Sequence, residues 1–356
     1  MARLGIALAA LAVAVSLTAA SAATPRARAD GRDDTAWLQA RLDASGGVVS
    51  LPKLPGGQCY ATRGLWVSHD DTQIVSNGAC ITALGPGPVR LTSLDGDPVP
   101  ANAVFFVNHS RPLDAPPVRV TIRGLRIVVP RAVDMFGIGV FAHEVTIRGV
   151  TVTGEPIDAI TIGGRANGDG YAGRVTIAGC SLSGATRNVL SATAVIGLRV
   201  VGSRLTGATD THAEVPGGKP YGNPAAGIDL EPGARGSPAV DVRFERNTIS
   251  GNAGPGILLA LATNLGRMVY GTDIAIVGNR IVGNGVKDTP PQHGGIVFDG
   301  GQDGGGGRVL VERNVIRGNR GAGLQGRGDV NLVVVPRGND LNGNSGGAVR
   351  GLRLRG

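Results

Sequence analysis

The sequence predicts an all-β chain folded as a single right-handed parallel β-helix solenoid with an N-terminal capping helix, and three observations predict it. An apolar-alternating phrase recurs seven times, starting at Val120, Val145, Val175, Leu198, Val242, Ile274 and Val309. The intervals of 25, 30, 23, 44, 32 and 35 residues fit a coil whose minimal length is the shortest interval and whose longer copies carry inserted loops. Each copy also passes through a Gly or Arg turn into a second short strand, as in VTIAGCSLSGA and VLVERNVIRGN. The alternation has period two, so Val175 and Ile177, or Val309 and Val311, point to one side; a helix would repeat every 3.6 residues.

The elements follow in order. Residues 1–22 combine one Arg, an apolar run and the small-residue site Ala20-Ser21-Ala22, which reads as a cleavable secretory signal peptide and makes the mature chain secreted or periplasmic. No other stretch is long enough to span a membrane. Residues 23–32 read as a flexible leader. Residues 33–115 hold the capping helix and degenerate coils (VVSLP, TQIVS, AVFFV). In DDTAWLQARLDASGG, Asp34 or Thr35 offers the N-cap oxygen, Leu38 and Leu42 form one apolar face, and Gly46-Gly47 stops the helix. Such a helix closes the open end of a solenoid, where strand edges and core would otherwise meet water. Residues 116–356 carry the regular coils.

The fifth residue after each phrase start is Cys180, Ser203, Asn247, Asn279 or Asn314, so three consecutive coils place Asn at one corner. Amides stacked at the strand spacing of about 4.8 Å hydrogen-bond along the column. Asn252, Asn284 and Asn319 predict a second ladder. Fifty-nine glycines and 3% aromatic residues suit tight corners around a narrow aliphatic interior.

Three cysteines in an exported chain leave at most one internal pair; Cys59 and Cys80, 21 residues apart and so close to one coil, are the expected bridge, with Cys180 a buried filler. The net charge of +8 comes almost wholly from Arg, the only lysines being Lys53, Lys219 and Lys287. A basic exported surface suits an acidic polysaccharide. The arginines form no run and no aromatics interleave with them, which argues against nucleic acid.

The segment from DDTAWLQARLDASGG to QCYATRGLWV resembles the N-terminal module of pectin-lyase-like proteins, in which a short helix precedes a Pro-Gly turn and strand. YGNPAAGIDLEPG and NTISGNAGPGILLA are similar to β-helix proteins of that superfamily with a Gly-Ile-Asp-Ile-Glu-Pro-like motif. The resemblance covers nearly all of the mature chain and implies the β-helix fold. It names no subfamily, because the motif sets of polygalacturonases, pectate lyases and mannuronan epimerases are missing, and the superfamily holds lyases, hydrolases, epimerases and non-enzymatic spikes.

Aligning the strand after each Asn corner puts Ile138/Val140, Ile160/Ile162, Leu190/Ala192, Ile228/Leu230, Ile257/Leu259 and Ile296/Phe298 inward. Asp229 and Glu231 then share the outer face of one strand, and Asp299 falls in the Glu231 column two coils later, beyond Ala260. Asp158 and Asn188 share the column just upstream, and Arg187 and His293 the next. The insertion 208–225 enters the same coil and carries Lys219 and Tyr221. Asp229, Glu231 and Asp299 are therefore the candidate catalytic carboxylates, with Arg187, Asn188, Asp158, Lys219, Tyr221 and His293 as substrate-binding groups. As a hydrolase, one carboxyl would protonate the leaving oxygen and another would activate water. As a lyase or epimerase on uronate, Arg187 or a bound cation would neutralise the substrate carboxylate while Lys219, His293 or Tyr221 took the C5 proton. The residues assign no metal ligand set; Ca²⁺ enters only if the chain is a lyase. The rival expectation is a non-catalytic β-helix that binds glycans or builds a surface. NGDG at 167–170, GGQDGGGG at 300–307 and the Asn108-His109-Ser110 sequon read as ordinary loop chemistry.

Overall fold

A computed structural model of the chain describes residues 32–44, 46–92, 98–108, 118–163, 171–209, 211, 224–232, 238–261, 270–287, 293–300, 306–328, 331–352 and 354. The expected signal peptide and most of the leader lie outside these residues, as do the NGDG turn and most of GGQDGGGG.

Among the described residues, three parallel sheets of ten, nine and ten strands wind around one core. Each coil visits them in turn, here called sheets I, II and III. One coil comprises Val195–Val201 in sheet I, Arg204–Thr206 in sheet II and Ile228–Leu230 in sheet III. All seven phrase starts lie in one column of sheet I, which Val334 extends by another rung. The predicted inward residues of sheet III are all fully buried. A short antiparallel ribbon, Val89–Thr92 with Pro98–Pro100, is inserted between the early coils.

The turn from sheet I to sheet II needs a left-handed residue. Gly202 (φ 57°) supplies it without a Cβ penalty, whereas Arg246 (φ 52°) and Arg313 (φ 53°) occupy the same place. The next residue forms the expected ladder. Asn247 donates its backbone N–H and its side-chain amide to Oδ1 of Asn279, Asn279 does the same to Asn314, and Asn314 to Asn339. Ser203 and Cys180 prolong the column toward the N-terminus, the Cys180 N–H donating to Ser203 Oγ. The second ladder runs Asn252, Asn284, Asn319, Asn344. Earlier coils put buried Ala79, Leu125 and Val150 at the first corner instead.

One feature was not legible in the alternation. The residue before six of the seven phrase starts is left-handed: Arg119, Glu144, Arg174, Gly197, Asp241 and Asp273. Neighbouring members pair by charge: Arg119 with Asp71 on one side, Arg174 with Glu144 on the next rungs. Charged residues carry no sequence mark of positive φ, so the column is invisible until the backbone is seen.

The helix Thr35–Asp43 buries Leu38 and Leu42 against the first coil, as expected. Its N-cap oxygen does not come from Asp34 or Thr35. Asp33 Oδ1 accepts the Thr35 N–H at 2.9 Å, and Asp34 turns away so that its Oδ2 takes the Ala61 N–H at 3.0 Å. Gln39 lies buried against the first strand of sheet III, its amide exchanging two bonds with the Trp66 backbone at 2.8 and 2.9 Å. Cys59 and Cys80 face each other on adjacent rungs of sheet II, Cα atoms 4.3 Å apart, and are disulfide-bonded. Cys180 is free and buried, and burial raises its thiol pKa. Among the described residues no helix is long and apolar enough to cross a membrane.

Candidate functional site

The carboxylates stand where sheet III register places them. Ser191, Asp229, Leu258 and Val297 form one outward column of its strands, and Ala260 pairs with Asp299 in the next. Continuing the Leu230–Leu259 rung by one residue sets Glu231 beside Ala260. Asp299 therefore lies two rungs, about 10 Å, from Glu231 along the axis.

Immediately upstream, Asp158 is fully buried and takes both guanidinium arms of Arg187, Nε to Oδ1 at 2.9 Å and Nη2 to Oδ2 at 2.5 Å. Its Oδ1 also accepts the Asn188 backbone N–H at 3.1 Å. Such a bidentate pair offsets the desolvation of both charges with matched hydrogen bonds. Arg187 lies over the Phe136 ring at 5.8 Å, an aromatic partner in the same column as Asp158 and Asn188 that the sequence reading missed, although that register already led to it. Asn188 is saturated: Nδ2 donates to Asp229 Oδ2 at 2.9 Å and to Ser191 Oγ at 3.1 Å, and Oδ1 accepts the Ala226 N–H at 2.9 Å.

Asp229 departs from the expectation of a solvent-reachable carboxylate. It is only 4% exposed, and its Oδ1 is buried without a hydrogen-bond partner. An outward strand position is polar in the alternation, but here the covering structure removes it from water. Burial, then the nearby Glu231, pushes its pKa well above the ordinary carboxylate range; Arg187 and Asn188 pull the other way. Glu231 keeps its exposure to solvent. The crowded protein around it still raises its pKa, aided by Asp299 and opposed by Arg187. Asp299 is ion-paired to Arg327, Oδ2 to Nη1 at 3.5 Å.

The remaining candidates are not gathered here. His293 lies three coils from Arg187 and packs against Gly285, with a buried Nδ1 that has no hydrogen-bond partner. Lys219 and Tyr221 lie outside the described residues. Among the described residues no group of three or more His, Cys, Asp or Glu could hold a metal ion. Both oxygens of Asp158 are engaged by Arg187, so the described donor set does not fit Ca²⁺.

On the same outer face, toward the N-terminus, Trp66 packs on Phe106 at 4.6 Å and Phe106 stacks on Phe141 at 4.9 Å. Phe141 remains partly exposed and lies beside Gly139 and Gly163, where a Cβ would meet its ring at 3.1 Å. The few aromatics of the chain thus include a cluster on the sheet that bears the carboxylates.

Known proteins share this architecture. The tailspike protein of Acinetobacter baumannii phage AM24 aligns over 89% of this chain and 52% of its own, at 15% identity and a TM-score of 0.54. The tailspike gp49 of A. baumannii bacteriophage Fri1, a capsular polysaccharide depolymerase, aligns over 90% and 54% at 12% identity and TM-score 0.53. The tailspike of E. coli bacteriophage HK620, solved with a pentasaccharide, aligns over 89% and 61% at 14% identity and TM-score 0.53. No curated protein matches the sequence. These likenesses speak to the fold alone. Residues 135–345 match the family described as right handed beta helix region, more than half of the chain, and the protein belongs to that family.

Proposed function

We propose that the protein is an exported carbohydrate-active enzyme, a glycoside hydrolase whose polysaccharide substrate lies across the outer face of sheet III. The observation that carries this reading is the pairing of a solvent-exposed Glu231, its pKa raised, with Asp299 two rungs away over the small Ala260. A raised pKa makes Glu231 hold its proton more tightly than an ordinary glutamate, which suits a general acid to the leaving oxygen. Asp299, ion-paired to Arg327, is the base that activates water. The backbone rungs of the two residues are about 10 Å apart, well beyond the roughly 5 Å carboxyl spacing of retention and compatible with the wider spacing of roughly 6.5–9.5 Å between inverting carboxyls that admits a water. Asp229, buried beneath the face, acts as a positioning residue rather than a group that touches substrate. Two structural neighbours add support, one named a polysaccharide depolymerase and one solved with an oligosaccharide.

Elimination or epimerisation of a uronate fits less well. Arg187 would have to neutralise the substrate carboxylate, yet its guanidinium is engaged bidentately by Asp158. Of the three groups expected to take the C5 proton, His293 is coils away, and Lys219 and Tyr221 lie outside the described residues. The alternative of a non-catalytic glycan-binding β-helix is favoured by one observation, the aromatic cluster around Phe141.

The purified protein is incubated with a panel of neutral and acidic polysaccharides. New reducing ends that vanish in Glu231→Gln, with activity falling on the alkaline side as Glu231 loses its proton, support the hydrolase. Ultraviolet absorbance from unsaturated uronate would replace it with a lyase, and binding without either product would replace it with a binding protein.

A further inference from the structure

We propose that the outer face of sheet II, separate from the carboxylates of sheet III, is a docking surface for an acidic polysaccharide chain. Arg126, Thr151, Ser181, Arg204, Thr248 and Arg280 occupy successive rungs of one outward column. The neighbouring outward column continues with Thr153, Ser183, Thr206 and Ser250. Between Arg126 and Arg280 neither column holds a carboxylate, so three guanidiniums stand over a floor of hydroxyls, three rungs and then two rungs apart, about 14 and 10 Å.

These cations are available. Arg126, Arg204 and Arg280 are exposed. Among the described residues Arg204 and Arg280 have no carboxylate partner, while Arg126 reaches only the Gly57 carbonyl at 3.4 Å and Cys59 Sγ at 3.8 Å. Some arginines elsewhere on the solenoid are neutralised in place, as Arg119 is by Asp71 and Arg174 by Glu144. At its N-terminal end the face opens into a cavity of about 520 Å³ lined by Lys53, Gln58, Asn77, Arg126 and Thr151. Among the described residues no carboxylate lines this cavity either. Corner glycines Gly78 and Gly149 border it with open space where a side chain would stand.

A linear array of guanidiniums separated by hydroxyl-bearing rungs matches a linear polymer carrying carboxylates or sulfates along its length, its charges meeting Arg and its hydroxyls Ser or Thr. Single-stranded nucleic acid also carries regular charge, but its binding relies on aromatic platforms for the bases, and these columns contain none. The proposal does not depend on the hydrolase reading, since it concerns another sheet and a binding readout.

The test uses the full chain with four probes: polygalacturonate, dextran sulfate, neutral dextran and duplex DNA. Kd is measured by affinity electrophoresis and calorimetry at low and physiological salt. Arg204→Ser/Arg280→Ser should weaken binding of polygalacturonate or dextran sulfate about tenfold, and Arg204→Lys/Arg280→Lys should retain most of it. Whether the carboxylated or the sulfated probe responds identifies the anion. Arg123→Ser/Arg148→Ser removes the same charge from the exposed outer face of sheet I and should cost less than about threefold. Equal losses in the two Ser double variants, duplex DNA bound as tightly as the acidic glycans, or no binding of either acidic glycan would overturn the proposal.

Discussion

Asn188 donates its side-chain amide to one oxygen of Asp229 across a 2.9 Å bond, while the other oxygen of that carboxyl is buried with no partner. An ionised carboxylate in this setting would face Glu231 and lack the donors that a buried charge needs. The protonated form suffers neither penalty. Burial and Glu231 thus favour the protonated acid, against the opposing pull of the Asn188 bond.

The sign of the resulting pH dependence follows directly. In the unfolded chain Asp229 titrates near about 3.9, and in the folded chain higher. Between the two values the native state binds the extra proton, so its contribution is full below the unfolded pKa and falls as pH rises, by up to about 1.4 kcal/mol per pH unit. Asp229→Asn copies the shape of the protonated acid and escapes that loss. Urea unfolding should find variant and wild type alike near pH 4 and the variant increasingly more stable toward neutrality. A variant that is less stable at pH 7 would refute a neutral Asp229.

Arg187→Met leaves Asp158 as a buried charge without its guanidinium. The expected cost is about 3–5 kcal/mol in chemical denaturation, and Asp158→Asn in the same background should recover much of it. Additive losses in this double-mutant cycle would mean that the pair is not the unit the geometry describes.

In the corner ladder, Asn279→Ala strands the buried Asn247 backbone N–H and removes the side-chain amide bonds to the Phe244 carbonyl and to Asn314 Oδ1, which keeps the Asn279 backbone N–H. A loss of about 2–4 kcal/mol follows. Asn339→Ala, at the partly exposed end of the same column, should cost distinctly less because water replaces its partners. Matched losses at the two positions would argue against stacking as the source.

Removing the bridge with Cys59→Ser/Cys80→Ser releases a 21-residue loop in the unfolded chain and should cost about 3 kcal/mol in the chain-entropy model. In the wild-type chain, alkylation under denaturing, non-reducing conditions should label Cys180 alone.

Side-chain period made the solenoid legible: seven phrases with alternating apolar residues determine which atoms face inward, and the ladders follow from counting five residues on. The same register brought Asp158, Asn188, Asp229, Glu231 and Asp299 to one face. Burial was beyond it, because alternation says which way a side chain points and not what lies over it. Asp229 and Glu231 share a strand and differ in solvent access. His293 shares a column with Arg187 but is separated along the axis, a distance that a column assignment does not contain. The left-handed residues Arg119, Glu144 and Arg174 were hidden for a different reason: a charged residue carries no sequence mark of positive φ, and the partners that pair with it on the adjacent rung lie 30 or 48 residues away in sequence.

Gln39 has a consequence beyond the helix that carries it. A stack of parallel strands is a fibril in miniature, and its first rung is a template onto which any compatible segment can add. The Gln39 amide, by taking both the N–H and the C=O of Trp66, imitates the next strand at the N-terminal edge of sheet III, and Asp34 occupies the Ala61 N–H at the edge of sheet II. The helix is in this sense a chain terminator for a polymer of coils, and a protein lacking it would be expected to elongate end to end.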